Sequence, residues 1–183
     1  GLRSWSVELA GSGHKPGSTR ATVWSPTGDR IATSDESDPL VRLWDRNGKL
    51  VQVLVRHTTY VPRLTFSPDG KWLATVEGSE GRYCIWNVRT GGCHAVITTQ
   101  GTGRPAFSPD GSILAVLRGS QTTFQTLDLN TGRILGSAGG IGGTGGGATG
   151  DYITWSPDGK TIATVNVRDS IYFHTAPGLQ KTE

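Results

Sequence analysis

Methionine is absent from this chain of 183 residues, cysteine occurs only twice, and aromatic residues make up only 8% of it. The sequence shows no apolar run long enough to cross a membrane as a helix and no secretory leader pattern. Lysine and arginine outnumber aspartate and glutamate by only 18 to 15, without a basic cluster. Because nucleic-acid-binding domains concentrate positive charge, we expect no nucleic acid as partner. Because no apolar run is long enough to span a bilayer, we expect no membrane as partner.

The two cysteines, Cys84 and Cys93, fall within one repeat of the sequence, but their offset across the intervening turn does not place them directly opposite each other. We therefore expect two free thiols, as in proteins of a reducing compartment, and a cytoplasmic localisation. Since the sequence lacks an initiator methionine, we also expect it to be a segment of a larger protein.

Glycine is abundant, with 27 residues, and part of it belongs to a turn motif that occurs four times. The motif reads aromatic-Ser-Pro-x-Gly and stands at 24–28, 66–70, 107–111 and 155–159; its serines are 42, 41 and 48 residues apart. Proline presets the φ angle at the second turn position and glycine closes the turn, so each copy predicts a tight hairpin. A period of this length indicates sheets stacked around an axis.

Each repeat also carries short apolar strands and a second tight turn, at Asn47-Gly48 in the first repeat. Consecutive tight turns produce an antiparallel meander of four strands, which cannot bury both of its faces alone. We predict an all-β chain with four such sheets at about 19–55, 60–99, 103–137 and 151–183, and a strand at 4–9 that completes a sheet.

Strands of the first two repeats resemble the tryptophan-aspartate (WD) repeat family. The matching residues are Ile31-Ala32-Thr33 and Leu43-Trp44-Asp45, then Leu73-Ala74-Thr75 and Ile85-Trp86-Asn87. The last two repeats are degenerate, with Leu127-Asp128 and Phe173-His174 in place of the tryptophan dipeptide. The resemblance implies a β-propeller of four-stranded antiparallel blades, of which this chain holds four.

Four polar residue types recur in the first two repeats. They are His14, Thr33, Asp38 and Trp44, then His57, Thr75, Glu80 and Trp86. A hydroxyl, an imidazole and a carboxylate also make up a hydrolytic triad. The resemblance instead assigns these positions, once per blade, to a buried hydrogen-bond chain from tryptophan through hydroxyl and histidine to carboxylate. We therefore predict a structural network, no catalytic residue and no enzymatic activity.

The sequence predicts no cofactor and no metal site. Its four histidines lie in different repeats, without the close spacing that metal coordination requires. The glycine-rich tract at 136–150 lacks the Gly-Lys-Ser/Thr ending of a phosphate-binding loop, so we interpret it as a connection between blades.

The resemblance implies that the chain is a noncatalytic protein–protein interaction scaffold or recognition platform within a larger protein. The alternative is an accessory sensing or gating propeller attached to a catalytic domain such as a protease, kinase or NTPase. Four residues lie near connections that enter a new blade. In the WD family such connections open on the face that binds partners. We expect Tyr60, Pro62, Arg104 and Tyr152 to contact a protein partner.

Four blades are fewer than the WD family usually assembles into a closed ring. Four blades that do not close form an open arc. If its two ends left about 800 Å² of apolar surface exposed to water, the lost hydrophobic stabilisation would be roughly 20 kcal/mol, more than the ~5 to 15 kcal/mol stability of a domain. We therefore expect self-association into a dimeric eight-bladed ring, or the remaining blades of a larger propeller.

Overall fold

The computed structural model describes residues 18–78, 80–99, 101–118, 123–138, 152–165 and 171–176. In these residues fifteen strands form four antiparallel sheets, and no helix occurs. Each sheet is a meander in which strands consecutive in the chain lie side by side. The predicted all-β architecture is confirmed.

We number the sheets as blades 1 to 4 in chain order. Blade 1 contains β1 (Thr19–Trp24), β2 (Arg30–Asp35), β3 (Leu40–Asp45) and β4 (Leu50–Val55). Blade 2 contains β5 (Arg63–Phe66), β6 (Trp72–Val76), β7 (Arg82–Asn87) and β8 (Cys93–Thr98). Blade 3 contains β9 (Ala106–Phe107), β10 (Ile113–Arg118), β11 (Thr123–Asp128) and β12 (Ile134–Ala138). Blade 4 contains, among the described residues, β13 (Ile153–Trp155), β14 (Thr161–Val165) and β15 (Ile171–Thr175).

The Ser-Pro-x-Gly motif joins the first two strands of each blade. In blade 1 the N–H of Gly28 donates to the carbonyl of Ser25 over 2.9 Å, and the N–H of Arg30 donates to the Ser25 hydroxyl over 3.0 Å. Gly28 has φ 71°, a left-handed conformation that glycine adopts without strain. The same pair of bonds recurs at Ser67, Ser108 and Ser156. The tight turns predicted from this motif are confirmed.

Apolar cores lie between neighbouring blades. Leu43 and Leu54 of blade 1 pack in one cluster with Phe66 and Trp86 of blade 2. Equivalent clusters join blade 2 to blade 3, with Ile85 and Leu114, and blade 3 to blade 4, with Phe124 and Ile162. Because each sheet buries its faces only against its neighbours, the blades stabilise one another.

Both end blades expose apolar side chains. Val55 of blade 1 is 69% exposed and Phe173 of blade 4 is 73% exposed. The ring of His174 packs on Phe124 of blade 3 with centroids 4.9 Å apart, so strand alternation places Phe173 on the face turned away from blade 3. The strand predicted at 4–9 lies outside the described residues.

Both cysteines are free thiols, as predicted. Cys93 pairs across β7 and β8 with Trp86, whereas Cys84 pairs with Val96, so the two cysteines are not direct cross-strand partners. Burial raises the pKa of the Cys84 thiol to about 12, which keeps it protonated and unreactive.

Candidate functional site

A buried hydrogen-bond network crosses blade 2. The indole N–H of Trp86 donates to the hydroxyl oxygen of Thr75 over 2.8 Å, and that hydroxyl donates to the carbonyl of Cys84 over 3.2 Å. Nε2 of His57 lies 2.6 Å from the same hydroxyl oxygen. The Thr75 hydroxyl therefore joins the indole of Trp86 to the imidazole of His57.

The carboxylate beside His57 belongs to Glu77, and this corrects the prediction of Glu80. Oε2 of Glu77 lies 3.5 Å from Nδ1 of His57, and both side chains are fully buried. Glu77 follows Thr75 by two residues in line with β6, so both side chains point to the same face. Glu80 lies farther along the loop, is exposed, and instead contacts Arg82 at 3.3 Å.

Burial and hydrogen bonding set the charges of this pair. Burial lowers the pKa of His57, although the Glu77 carboxylate opposes that shift. Burial alone would raise the pKa of Glu77, but hydrogen bonds from Thr58 and Thr59 and the charge of Arg82 outweigh it and hold the pKa below its ordinary value. Oε2 of Glu77 lies 3.5 Å from Nδ1 of His57 and 3.7 Å from Nε of Arg82. At neutral pH the histidine is neutral and the glutamate is ionised.

Blade 1 repeats part of this network. The indole N–H of Trp44 donates to the Thr33 hydroxyl over 2.9 Å. His14, the predicted histidine of this set, lies outside the described residues. Asp38 binds Arg42 through both carboxylate oxygens, at 2.7 and 3.2 Å, and the Arg42 side chain is buried. The structure therefore brings Trp44 and Thr33 together and pairs Asp38 with an arginine.

A second acid was missed in each of these two blades. Asp35 is fully buried and accepts the Ser18 hydroxyl over 2.6 Å. It stands two residues after Thr33, as Glu77 stands two residues after Thr75. This shared threonine-x-acid spacing at the end of the second strand is the sequence signal that identifies the buried carboxylates.

The degenerate blades replace the network in different ways. In blade 4 the hydroxyl of Thr164 lies 3.2 Å from Nε2 of His174, so an imidazole stands where blades 1 and 2 have an indole. In blade 3 the fully buried Val116 occupies the position of the threonine, and Leu127 that of the tryptophan. Blade 3 therefore depends at these positions on apolar packing.

Glu77 also positions the loop that precedes blade 2. Its Oε1 accepts the N–H groups of Thr58 and Thr59, over 3.1 and 2.9 Å, and the hydroxyl groups of both residues. The N–H of Gly78 donates to the Tyr60 carbonyl over 3.0 Å. A Cβ atom on Gly78 would lie 2.4 Å from Cζ of Tyr60, so the aromatic ring rests directly on this glycine. The loop and the ring are fixed from the buried side.

Tyr60 lines an open cleft of about 280 Å³ together with Arg20 and Glu36. The guanidinium carbon of Arg20 lies 5.7 Å from the centre of the Tyr60 ring, and its Nη1 forms an ion pair with Oε1 of Glu36. Arg20 lies on β1 and Glu36 directly follows β2 of blade 1, whereas Tyr60 belongs to the loop entering blade 2. The cleft is therefore formed between two blades.

The other residues expected to contact a partner lie at equivalent places. Pro62 is half-buried, Arg104 is exposed and Tyr152 is 66% exposed, and each precedes the first strand of a blade. Arg63, the first residue of β5, donates to the carbonyl of Thr102 over 2.8 Å, which links blade 2 to the loop before blade 3. The first strands of neighbouring blades touch, β1 with β5 and β9 with β13, so these loops open on one face. We call the face carrying Tyr60, Pro62, Arg104 and Tyr152 the entry face.

The buried network offers no accessible nucleophile. Thr75 is fully buried, and its hydroxyl already has three hydrogen-bond partners. In the described part of the chain no cluster of three His, Cys, Asp or Glu residues is arranged to hold a metal ion. The same residues include no helix of membrane-spanning length and apolarity. The glycine-rich tract begins in β12, and its residues 139–150 lie outside the described part.

Comparison with protein families matches two segments of the chain. The family described as "WD domain, G-beta repeat" matches residues 7–45 and 48–87. The chain is 34% identical over 80 residues to the nuclear distribution protein nudF of Aspergillus flavus, and 35% identical over 69 residues to the pre-rRNA-processing protein pro-1 of Caenorhabditis briggsae. These alignments cover 44% and 38% of the chain but only 16% and 13% of the relatives.

A solved structure extends the similarity to blades 3 and 4. The C-terminal WD40 domain of Sif2 superimposes with a TM-score of 0.69 at 18% identity, over 86% of this chain and 43% of that one. At this identity the similarity shows the fold, and the predicted propeller architecture is confirmed. The four blades thus correspond to less than half of the compared chain.

Proposed function

Because this chain belongs to the WD-repeat family, whose propellers generally mediate protein–protein interactions, we propose that it is a noncatalytic recognition platform with its partner on the entry face. The observation that carries the proposal is the cleft at Tyr60. An exposed aromatic ring supported by fixed backbone is the kind of group that dominates protein interfaces. The free thiols favour a reducing compartment such as the cytoplasm for this interaction.

Several features of the entry face support this proposal. Tyr60 and Tyr152 are 38% and 66% exposed, and Arg104 is exposed and without an ion pair to any described residue. Tyrosine and arginine are enriched at interfaces, since they combine apolar area with directed hydrogen bonds. The loop that carries Tyr60 is anchored by the buried carboxylate of Glu77, so binding there orders few additional groups and costs little conformational entropy.

We also propose that further blades complete the arc. The exposed Phe173 and Val55 at its two ends support this, as does the correspondence with only 43% of the WD40 domain of Sif2. The added blades belong to a longer propeller or to a second copy of this chain. Mass measurement in solution separates the two, since a second copy gives twice 19.4 kDa.

Site-directed photo-crosslinking tests the recognition proposal. A photoreactive amino acid is placed at Tyr152 on the entry face or, as a matched control, at exposed Asn47 in a turn on the opposite face. We expect a discrete crosslinked protein from native cell extract with the probe at Tyr152 only. Crosslinking from Asn47 alone, or equally from both positions, contradicts the proposal.

A further inference from the structure

The cleft at Tyr60 already holds a cation. The guanidinium of Arg20 lies over the Tyr60 ring and pairs with the Glu36 carboxylate. The negative face of an aromatic ring and a carboxylate are two groups that attract a cation together. The chain's own arginine therefore shows which chemistry this cleft accepts.

Arg20 is weakly held in this position. Its side chain is 45% exposed and that of Glu36 is 55% exposed, and ion pairs in water contribute little because solvent screens them. The Tyr60 ring, in contrast, is supported by Gly78 and its loop is held by Glu77. An incoming cation would displace a partly exposed side chain and meet a ring that is already in place.

We propose that this cleft binds an arginine or lysine side chain of the protein partner, which replaces Arg20 between Tyr60 and Glu36. This inference rests on the recognition platform proposed above and adds the chemistry of the group recognised. A partner carboxylate bound to Arg20 is the competing arrangement. It is disfavoured because it would bring a second negative charge next to Glu36.

NMR titration of the full chain with the blocked tripeptide acetyl-Gly-Arg-Gly-amide tests the proposal, with the backbone amide of Tyr60 as the reporter. Tyr60→Ala and Glu36→Gln should each weaken binding by about threefold or more. Arg20→Ala should strengthen it, because the internal competitor is removed. Arg46→Ala, in an exposed turn on the opposite face, is the matched control and should leave affinity unchanged.

Two outcomes overturn the proposal. One is the absence of any shift at Tyr60 with the arginine tripeptide in both the native chain and Arg20→Ala. The other is preferential binding of acetyl-Gly-Glu-Gly-amide that Arg20→Ala abolishes. Neither outcome affects crosslinking from Tyr152, so failure of this inference is distinguishable from failure of the recognition platform.

Discussion

The backbone N–H of Thr59 donates to Oε1 of Glu77 over 2.9 Å, so a buried carboxylate holds the loop that carries Tyr60. The other oxygen of that carboxylate faces His57, at the beginning of the same loop. The buried network of blade 2 and the exposed cleft are therefore connected through one side chain. A change in the network should alter both the stability of the chain and the order of the entry face.

Glu77→Gln should lower the free energy of unfolding by about 1 to 3 kcal/mol, because a neutral amide accepts the loop hydrogen bonds less strongly than a buried carboxylate. Urea denaturation measures the change. Glu80→Gln is the matched control, and since its side chain is exposed we expect a change within about 0.5 kcal/mol. Equal losses of stability in the two variants would contradict the assignment of Glu77, rather than Glu80, to the buried network.

Stability should fall as the pH drops below about 6.5, the ordinary pKa of histidine. The pKa of His57 is lowered in the folded chain, so below that pH the unfolded chain binds a proton that the folded chain does not. A further fall follows at lower pH, where the unfolded chain protonates Glu77 before the folded one does. Urea titrations at several pH values measure both steps.

His57→Gln should reduce the first of these two falls, because it removes the buried imidazole. His174 also has a pKa lowered by burial, so part of the first fall should remain in His57→Gln. An identical pH dependence in the native chain and His57→Gln would rule out the buried neutral histidine as a source of the effect.

Gly78→Ala should displace the Tyr60 ring while the chain stays folded. The new Cβ would lie 2.4 Å from the end of a side chain that can rotate away, so we expect a small loss of stability but a loss of arginine-tripeptide binding. Gly136→Ala in β12 is the control, because its Cβ would meet no atom within 4 Å. NMR titration compares the two variants, and native affinity in Gly78→Ala would show that the ring needs no fixed support.

The Cys84 thiol should resist alkylation in the folded chain, because burial raises its pKa to about 12. Cys93→Ser leaves Cys84 as the single thiol. We expect this variant to react with a thiol reagent at pH 8 only as fast as the chain unfolds, and to react rapidly in urea. A fast reaction of the folded variant would contradict the burial of Cys84.

Local chemistry made the blades predictable from the sequence. Ser-Pro-x-Gly prescribes its own turn through proline and glycine, and the four turns form as predicted. The WD resemblance assigned Thr75 and Trp86 to one hydrogen-bond chain, and the indole N–H of Trp86 donates to the Thr75 hydroxyl. The choice between Glu77 and Glu80 depends on the path of a loop, which the family pattern does not specify, although the threonine-x-acid spacing shared with Asp35 points to the correct residue.

The contact of Arg20 with Tyr60 was not predictable from either repeat alone. Arg20 lies on β1 and Tyr60 precedes β5, so their meeting depends on how two blades pack. Tyr60 was predicted as a contact residue from its place near a blade entrance, but no periodic pattern identified Arg20 or Glu36 as its neighbours.

Binding of the crosslinked partner to purified variants tests the central claim most directly. Isothermal titration calorimetry would compare the native chain with Tyr60→Ala on the entry face and Asn47→Ala on the opposite face. Loss of a central aromatic contact costs more than about 1.4 kcal/mol, so Tyr60→Ala should weaken binding at least tenfold while Asn47→Ala binds as the native chain does. Native affinity in Tyr60→Ala together with weakened binding in Asn47→Ala would place the partner on the other face and contradict the account.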